Sequence, residues 1–310
     1  MASRGNRPYS RILFYILKFI WAVGERILRA ILLNRFAPRT GEVERGIRYV
    51  FGGHRLQSLD VFRPAGEGPF PVLVYIHGGG YHFGDKRTYD RVCRSFAASG
   101  YLVCNANYRM APRWGWPEQA QDVAEAVGWA HRHASWFGGD PQRMFLGGDS
   151  AGAYFAALYA ELATDEGLRE AVPVRGCVPA SCLRGLLLFY GAYDFDTVQR
   201  TRFPLVKSMA TGFLGRDQGE FDRRAETASP QRHLAPGFPP CLIVTSEIDP
   251  LHPESIAFRA ALEERGAACD YLNLPRKEHP LTYHGFLNFW WTRGARMAMR
   301  AAVGFMDKHR

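Results

Sequence analysis

Three polar residues in this sequence stand where acyl-transfer chemistry would need them. Ser150 lies in "LGGDSAGAYF", between an apolar strand-like run, "RMFLGG", and a helical run, "AGAYFAALYAELA". A serine at so sharp a strand-to-helix turn is driven toward strained backbone angles. The strain lifts its hydroxyl above the sheet and leaves the N–H of Ala151, at the helix N-terminus, facing whatever the hydroxyl attacks. Gly148 and Gly152 flank it, small because strand and helix crowd together there. A G-x-S-x-G pattern alone is weak evidence, so its surroundings have to carry the assignment. A serine hydroxyl attacks poorly until a neutral imidazole accepts its proton and a carboxylate holds that imidazole in the right tautomer. Asp249 in "TSEIDPLHPES" and His284 in "HPLTYHGF" supply both groups downstream, on loops that follow later strands. Glu247 and Asp194 are rival carboxylates, and His279 is a rival base. His284 is preferred because "HGF" runs straight into a long helical pattern, whereas Pro280 follows His279.

A second stretch, "YIHGGGYHFGDK", directly follows the strand-like run at 71–77. Three consecutive glycines let the backbone approach a ligand unobstructed, so the N–H groups of Gly78 and Gly79 can converge with that of Ala151 on one developing oxyanion. A phosphate cradle is the competing use of such a turn. The chain lacks the Lys-Ser/Thr of a phosphate loop and the G-x-G-x-x-G of a dinucleotide site, which argues against nucleotide binding.

These loops need a scaffold that brings them to one edge. "IRYVFGG" and "LDVFRP" predict an opening antiparallel pair, followed by strands at 71–77, 101–108, 143–148, 184–191, 240–246 and 269–275. Helical patterns separate them at about 87–99, 116–135, 151–165, 253–266 and 285–308. The alternation predicts an α/β fold with a mostly parallel sheet covered by helices on both faces, whose functional residues gather at the carboxyl ends of the strands. The stretch at about 194–234 is longer than a connection requires and predicts a lid or cap.

At 310 residues and 47% hydrophobic content, the chain is sized for one large domain. Its formal charge of +9 is uneven: residues 1–50 carry ten Lys/Arg against three Glu, which leaves only +2 for the remainder. With no nucleic-acid motif, that excess suits an anionic membrane surface rather than a nucleic-acid groove. Six cysteines show neither a disulfide framework nor zinc spacing. Cys104 and Cys241 lie in strand-like apolar runs as small hydrophobes, Cys177 and Cys182 are the only pair a loop could bridge, and a reducing cytoplasm is the expected setting.

The segment Ser10–Phe36 is the most hydrophobic in the chain. On a helical wheel Arg11, Lys18, Glu25 and Arg29 fall within roughly 40° of one another, at about 100° per residue, which describes an amphipathic helix. Lys18 and Glu25 interrupt the run of about 20 apolar residues that a membrane span needs, and Lys18 sits inside the apolar region a signal peptide would require. Three uses stay open: packing the apolar face on the rest of the protein, peripheral contact with a membrane surface, or, least favoured, a secretory signal with "AVG" as a poor cleavage site.

At these residues the chain resembles the hormone-sensitive-lipase-like carboxylesterases of the α/β-hydrolase superfamily, a group with arylacetamide-deacetylase relatives. The resemblance covers roughly 45–308 and rests on "HGGG" (77–80), "NYRMAP" (107–112), "PEQAQD" (117–122), "GGDSAG" (147–152), "DPL" (249–251) and "HGF" (284–286). It implies an α/β-hydrolase fold with a mostly parallel eight-stranded sheet and a helical cap. Residues 1–45 would form the N-terminal cap segment and 46–310 the catalytic domain, with a cap insertion at about 194–234. It further implies Ser150 as nucleophile, Asp249 and His284 as its partners, an oxyanion hole from Gly78, Gly79 and Ala151, and no metal or organic cofactor. Two departures stand out: "HPE" follows "DPL", with Pro253 where an acidic residue is common, and "RKEHPLTY" lengthens the step to "HGF". The expected activity is hydrolysis of small to medium acyl esters, since an aromatic-rich cap of Phe14, Tyr15, Phe19, Trp21, Phe203 and Phe213 would enclose an apolar pocket of limited reach; a lipase-like hydrolase of longer acyl chains is the alternative if the N-terminal helix lies on lipid. An amidase or deacetylase would use the same residues. A hydrolase-fold binding protein would be expected to lack the serine or the histidine.

Overall fold

The computed structural model describes Phe19, Ile20 and residues 23–310. Eight strands form one sheet: β1 (Val43–Arg48), β2 (Ser58–Phe62), β3 (Phe70–Ile76), β4 (Leu102–Ala106), β5 (Gly139–Asp149), β6 (Leu183–Phe189), β7 (Cys241–Ser246) and β8 (Cys269–Leu274). Their spatial order is β1-β2-β4-β3-β5-β6-β7-β8. β2 pairs antiparallel with β1 and β4, and every other pair is parallel. Strands β3, β4 and β7 are buried along their whole length. That is why they read as unbroken apolar runs and not as alternating ones.

Helices cover both faces. Against one pack α1 (Asp90–Ala98) and the C-terminal α8 (Arg293–His309), through Val92, Phe96, Ala298 and Phe305. Against the other pack α2 (Glu118–His133), α3 (Ala151–Thr164) and α7 (His252–Glu264), through Val123, Val127, Leu158 and Phe258. α3 is buried over nearly its entire length, and its alanines let it lie close on β5 and β6.

Two boundaries differ from the sequence expectation. The first strand ends at Arg48, and residues 49–57 form the connection to β2, closed by hydrogen bonds from Gly53 N to Val50 O (3.2 Å) and from Tyr49 N to Gln57 O (3.3 Å). The final helix starts at Arg293, not near 285. Gly285 adopts φ 85°, Phe286–Asn288 make a single 3-10 turn that buries Phe286 and Leu287, and the Thr292 hydroxyl caps the new helix by accepting from Ala295 N (3.2 Å). Pro253 lies in the first turn of α7, where its missing N–H costs nothing.

The 194–234 stretch contains α5 (Val206–Leu214) and α6 (Gln218–Ala228), with a short α4 (Glu166–Ala171) earlier in the chain. Arg232 closes the stretch on itself by pairing with Asp194 (2.7 Å), Asp196 (2.5 Å) and Glu226 (2.5 Å). α5 is tied to the body where Phe213 O accepts from Trp116 N (2.8 Å) and the Phe213 ring stacks on Tyr81 at 4.1 Å.

Residues 23–28 are helical and pass into a wider π-turn at Arg29–Leu33. Of the polar stripe expected on this helix, Arg11 and Lys18 lie outside the described residues, while Glu25 turns inward to meet the Thr88 hydroxyl. Leu33 is buried and Trp290 Nε1 donates to Leu32 O (3.4 Å), but Val23, Ile27, Leu28 and Ile31 face outward. Packing of a broad apolar face on the body is therefore not what residues 23–31 do. Among the described residues no helix is long and apolar enough to cross a membrane.

The tightest contact in the sheet is backbone on backbone. A Cβ at Gly152 would overlap the Ile76 carbonyl oxygen, and one at Gly148 would overlap the same atom and Gly152 itself. Since neither partner is a flexible side chain, Gly152→Ala is expected to lower the unfolding free energy by about 1–3 kcal/mol or more. Urea denaturation monitored by tryptophan fluorescence would measure it, and an unchanged midpoint would contradict the crowding argument.

Candidate active site

β5 ends at Asp149 and α3 begins at Ala151, so Ser150 alone makes the turn. Its φ of 53° and ψ of −117° lie where non-glycine residues pay about 1–3 kcal/mol. The surroundings hold it there: Ser150 N donates to Phe189 O (2.9 Å) and Tyr154 N donates to Ser150 O (3.1 Å).

The structure brings together the three side chains preferred from the sequence. His284 Nε2 lies 2.9 Å from Ser150 Oγ, and Nδ1 lies 2.9 and 3.1 Å from the two Asp249 carboxylate oxygens. A carboxylate only accepts, so Nδ1 carries the proton, which leaves Nε2 as the acceptor facing the serine. Asp249 is buried and is itself oriented by Leu251 N (2.7 Å). The imidazole edge meets Tyr190 (ring centroids 5.0 Å) and Phe203 (4.7 Å), both near-perpendicular. Tyr190 also has a positive φ, 40°, as one of five such non-glycine residues among those described, and is pinned by its N–H to Val244 O (2.7 Å).

The rival groups are engaged elsewhere. Asp194 is bound by Arg232, and Glu247 is exposed and accepts from Arg276 N (2.9 Å). His279 is buried beside Gly294 at the start of α8, with its carbonyl taken by the Thr282 hydroxyl (2.7 Å).

One expected donor is corrected. The Gly78 N–H does not face the serine; it donates to Asp149 Oδ1 at 2.9 Å, so a buried carboxylate has already claimed it. Among the described residues, the N–H groups of Gly79, Gly80 and Ala151 have no acceptor. Gly79 (φ 126°) and Gly80 (φ 53°) adopt backbone angles that suit glycine. Gly80, the third residue of "GGG", keeps an unpaired N–H where Gly78, the first, does not. The loop is braced by Tyr108, whose hydroxyl donates to His77 O (3.0 Å), and by Gln119, which donates to Tyr81 O (2.9 Å). Those braces come from the "NYRMAP" and "PEQAQD" stretches, which Arg109 and Asp122 also join by a 2.7 Å ion pair.

Asp149 is a further residue that sequence reading passed over. It is buried beside the serine and accepts from Gly78 N, from the Tyr89 hydroxyl (2.9 Å) and from the Tyr75 hydroxyl (3.4 Å). Burial pushes its carboxyl from the ordinary 3.8 up to about 6, against the opposing pull of these donors and of His284. Its position inside "GGDSAG" was the available signal.

Of the aromatic residues expected to wall a pocket, Phe203 lies over His284, Phe213 is buried against Tyr81, and Phe19 is exposed. Phe14, Tyr15 and Trp21 lie outside the described residues.

A serine on a strained elbow, an imidazole and carboxylate in line behind it, and unpaired amides beside it form the constellation of an acyl-transferring hydrolase. Residues 73–283 match the family described as alpha/beta hydrolase fold. The chain belongs to that family. It falls within the hormone-sensitive-lipase-like group. The carboxylic ester hydrolase LipN of Mycobacterium tuberculosis is 35% identical over 254 residues, covering 76% of this chain and 62% of its own. The ethyl acetate hydrolase of Pseudomonas putida is 30% identical over 235 residues, covering 73% and 71%. Among solved structures, esterase B of Lactobacillus rhamnosis superposes with a TM-score of 0.84 at 21% identity, covering 96% of each chain, a likeness of fold. The esterase of the archaeon Pyrobaculum calidifontis superposes at 0.75 with 25% identity, covering 97% and 99%. The chain spans 62% of the length of LipN and 58% of the esterase LipQ from the same bacterium.

A carboxyl raised on folding favours the folded state most below its ordinary pKa, and that contribution is lost as pH rises through its folded value. Asp149→Asn is expected to flatten the fall in stability that this group contributes between pH 4 and 6. It also exchanges a charge-assisted bond on the Gly78 loop for a neutral one, expected to lower kcat about tenfold. Thermal melts across pH and steady-state kinetics at pH 8 test the two parts together; unchanged kcat would show that Asp149 does not position the loop.

Proposed function

We propose that this chain is a serine carboxylesterase acting on small to medium acyl esters through an acyl-enzyme. Ser150 Oγ attacks the ester carbonyl while His284 Nε2 takes its proton, and Asp249 stabilises the imidazolium that forms. The N–H groups of Gly79, Gly80 and Ala151 receive the charge that develops on the carbonyl oxygen. His284 then protonates the leaving alcohol, and a water activated by the same imidazole releases the acid. No metal or organic cofactor enters these steps.

The observation that carries the reading is the unbroken relay from Ser150 Oγ through the imidazole to Asp249, with 2.9 Å at each link. Two contacts of the insertion support a limited acyl size: Met209 lies where a Cβ on Gly80 would be, and the Phe203 ring packs edge-on against His284. The Pseudomonas relative is named as an ethyl acetate hydrolase, which agrees with a short acyl group. We read residues 1–45 with the 194–234 insertion as the cap over a catalytic domain of residues 46–310. Amide cleavage would use the same groups, and paired turnover of an ester and its anilide separates the two.

The proposed partner is a small-molecule ester, reached by a protein that sits peripherally on a membrane at its cytoplasmic side. Two observations favour that contact. Val23, Ile27 and Ile31 recur every four residues on one helix face, with Ile27 52% and Ile31 62% exposed, and the first 50 residues carry +7 of the net charge of +9.

A fluorophosphonate probe should label Ser150 alone, and Ser150→Ala should lose about 10⁴-fold or more of p-nitrophenyl butyrate hydrolysis; labelling elsewhere would overturn the assignment. Ile27→Glu with Ile31→Glu should weaken sedimentation with anionic phosphatidylglycerol vesicles about tenfold or more while leaving butyrate hydrolysis intact. Unchanged sedimentation, or a change of oligomeric state in its place, would refute the membrane contact.

A further inference from the structure

The two thiols that open the last two strands face one another. Cys241 and Cys269 are register partners in the parallel pair β7–β8, so their Cβ atoms leave the sheet on the same side. Both pack against the cluster that contains Phe258 and Leu262 of α7. Adjacent strands lie about 4.8 Å apart, inside the range of roughly 4.4–6.8 Å between Cα atoms that a disulfide spans. β8 is the edge strand, with one free side on which to adjust. Both sulfurs are reduced.

Their surroundings differ in a way that assigns roles. Cys241 is fully buried; Cys269 is partly exposed. Its interaction with the Cys269 sulfur and its burial raise the Cys241 thiol well above its usual range, while the Cys269 thiol donates to Asp270 O (3.6 Å). The same interaction lowers the Cys269 thiol, helped by the Arg259 guanidinium and opposed by burial, Glu263 and Asp270. A partly exposed cysteine beside a second, buried thiol in the same register is the arrangement in which oxidation is both accessible and reversible.

We propose that Cys241 and Cys269 form an oxidisable dithiol, in which Cys269 reduces a peroxide and Cys241 resolves the product as a cross-strand disulfide. The Cys269 thiolate attacks one oxygen of hydrogen peroxide, the O–O bond breaks, and the departing hydroxide takes a proton to leave as water. Cys269 becomes a sulfenic acid. Cys241 then gives up its proton and attacks the Cys269 sulfur; the S–S bond forms, the S–O bond breaks, and hydroxide leaves with that proton as a second water. Two thiols and one peroxide thus become one disulfide and two waters.

The pair is distinct from the one the sequence brought forward. Cys177 and Cys182 are both free, and Cys182 instead lies 3.7 Å from His131 Nε2 and donates to Gln142 Oε1 (3.4 Å). The cross-link would join β7 and β8 at their first residues, the opposite end from the loops that carry Asp249 and His284. Oxidation is therefore expected to pin the sheet edge without stopping ester hydrolysis.

The test treats the full, reduced chain with hydrogen peroxide, removes the excess with catalase, alkylates, and maps peptides. The expected result is loss of two hydrogens in intact mass, loss of alkylation at both positions, and a Cys241–Cys269 linked peptide that dithiothreitol reverses. Cys241→Ser should leave a Cys269 sulfenic acid that dimedone traps, and Cys269→Ser should abolish the two-hydrogen loss. Progression of parent Cys269 to sulfinic acid without a linked peptide would overturn the proposal, as would a bridge at Cys177–Cys182 or the same two-hydrogen loss in Cys269→Ser. The parent measurement stands alone should the buried Cys241→Ser variant fail to fold.

Discussion

Ile76 of β3 and Gly152 of α3 come so close that no Cβ fits between them, and the active-site architecture depends on that contact. A helix that begins this near the sheet leaves the chain one residue in which to turn, and Ser150 takes the strained angles as a result. The same turn carries Asp149 beneath the glycine loop, where it can take the Gly78 N–H, and exposes the first amide of α3 beside the serine. Small residues at 148 and 152 are therefore a condition for the nucleophile's position, and not an accident of a glycine-rich stretch.

Two buried carboxylates then divide the work around one imidazole. Asp249, oriented by Leu251 N, holds the Nδ1 proton and so sets the tautomer. Asp149 fastens the glycine loop through its oxygens, and the nearby His284 is among the groups that oppose the burial-driven rise of its own carboxyl. Burial works against the charge of Asp149, and three donors work for it. Keeping a carboxylate there at some cost in stability fits a site where preorganised charge matters more than packing.

The covering elements are fastened differently from the core. α5 is held over the glycine loop by the Phe213 carbonyl, by its ring on Tyr81 and by the Met209 sulfur against Gly80, while Arg232 ties the two ends of its stretch together. These are contacts between a few side chains and partly exposed ion pairs, which makes this layer easier to open than the sheet beneath it. The helix at 23–33 meets the body through Glu25, Leu33 and the Leu32 carbonyl and directs several of its aliphatic residues away from it.

Much of this was legible in the residues themselves. Apolar runs marked six strands to within a few residues, because strands buried on both faces have little choice of composition, and Ser150, Asp249 and His284 were marked by their types and order. Sequence could rank His284 above His279 but could not exclude the latter, since only the fold decides which histidine turns toward the serine and which is buried beside Gly294. Nor could it tell that Gly78 spends its N–H on Asp149, that Glu25 faces inward while Ile27 faces out, or that Cys241 meets Cys269 and not a nearer cysteine. Local pattern determines which residue types a segment can bury and where it must turn. Which N–H meets which carboxylate, and which thiol meets which, is settled by register and helix rotation, and these arise from contacts between segments far apart in the chain.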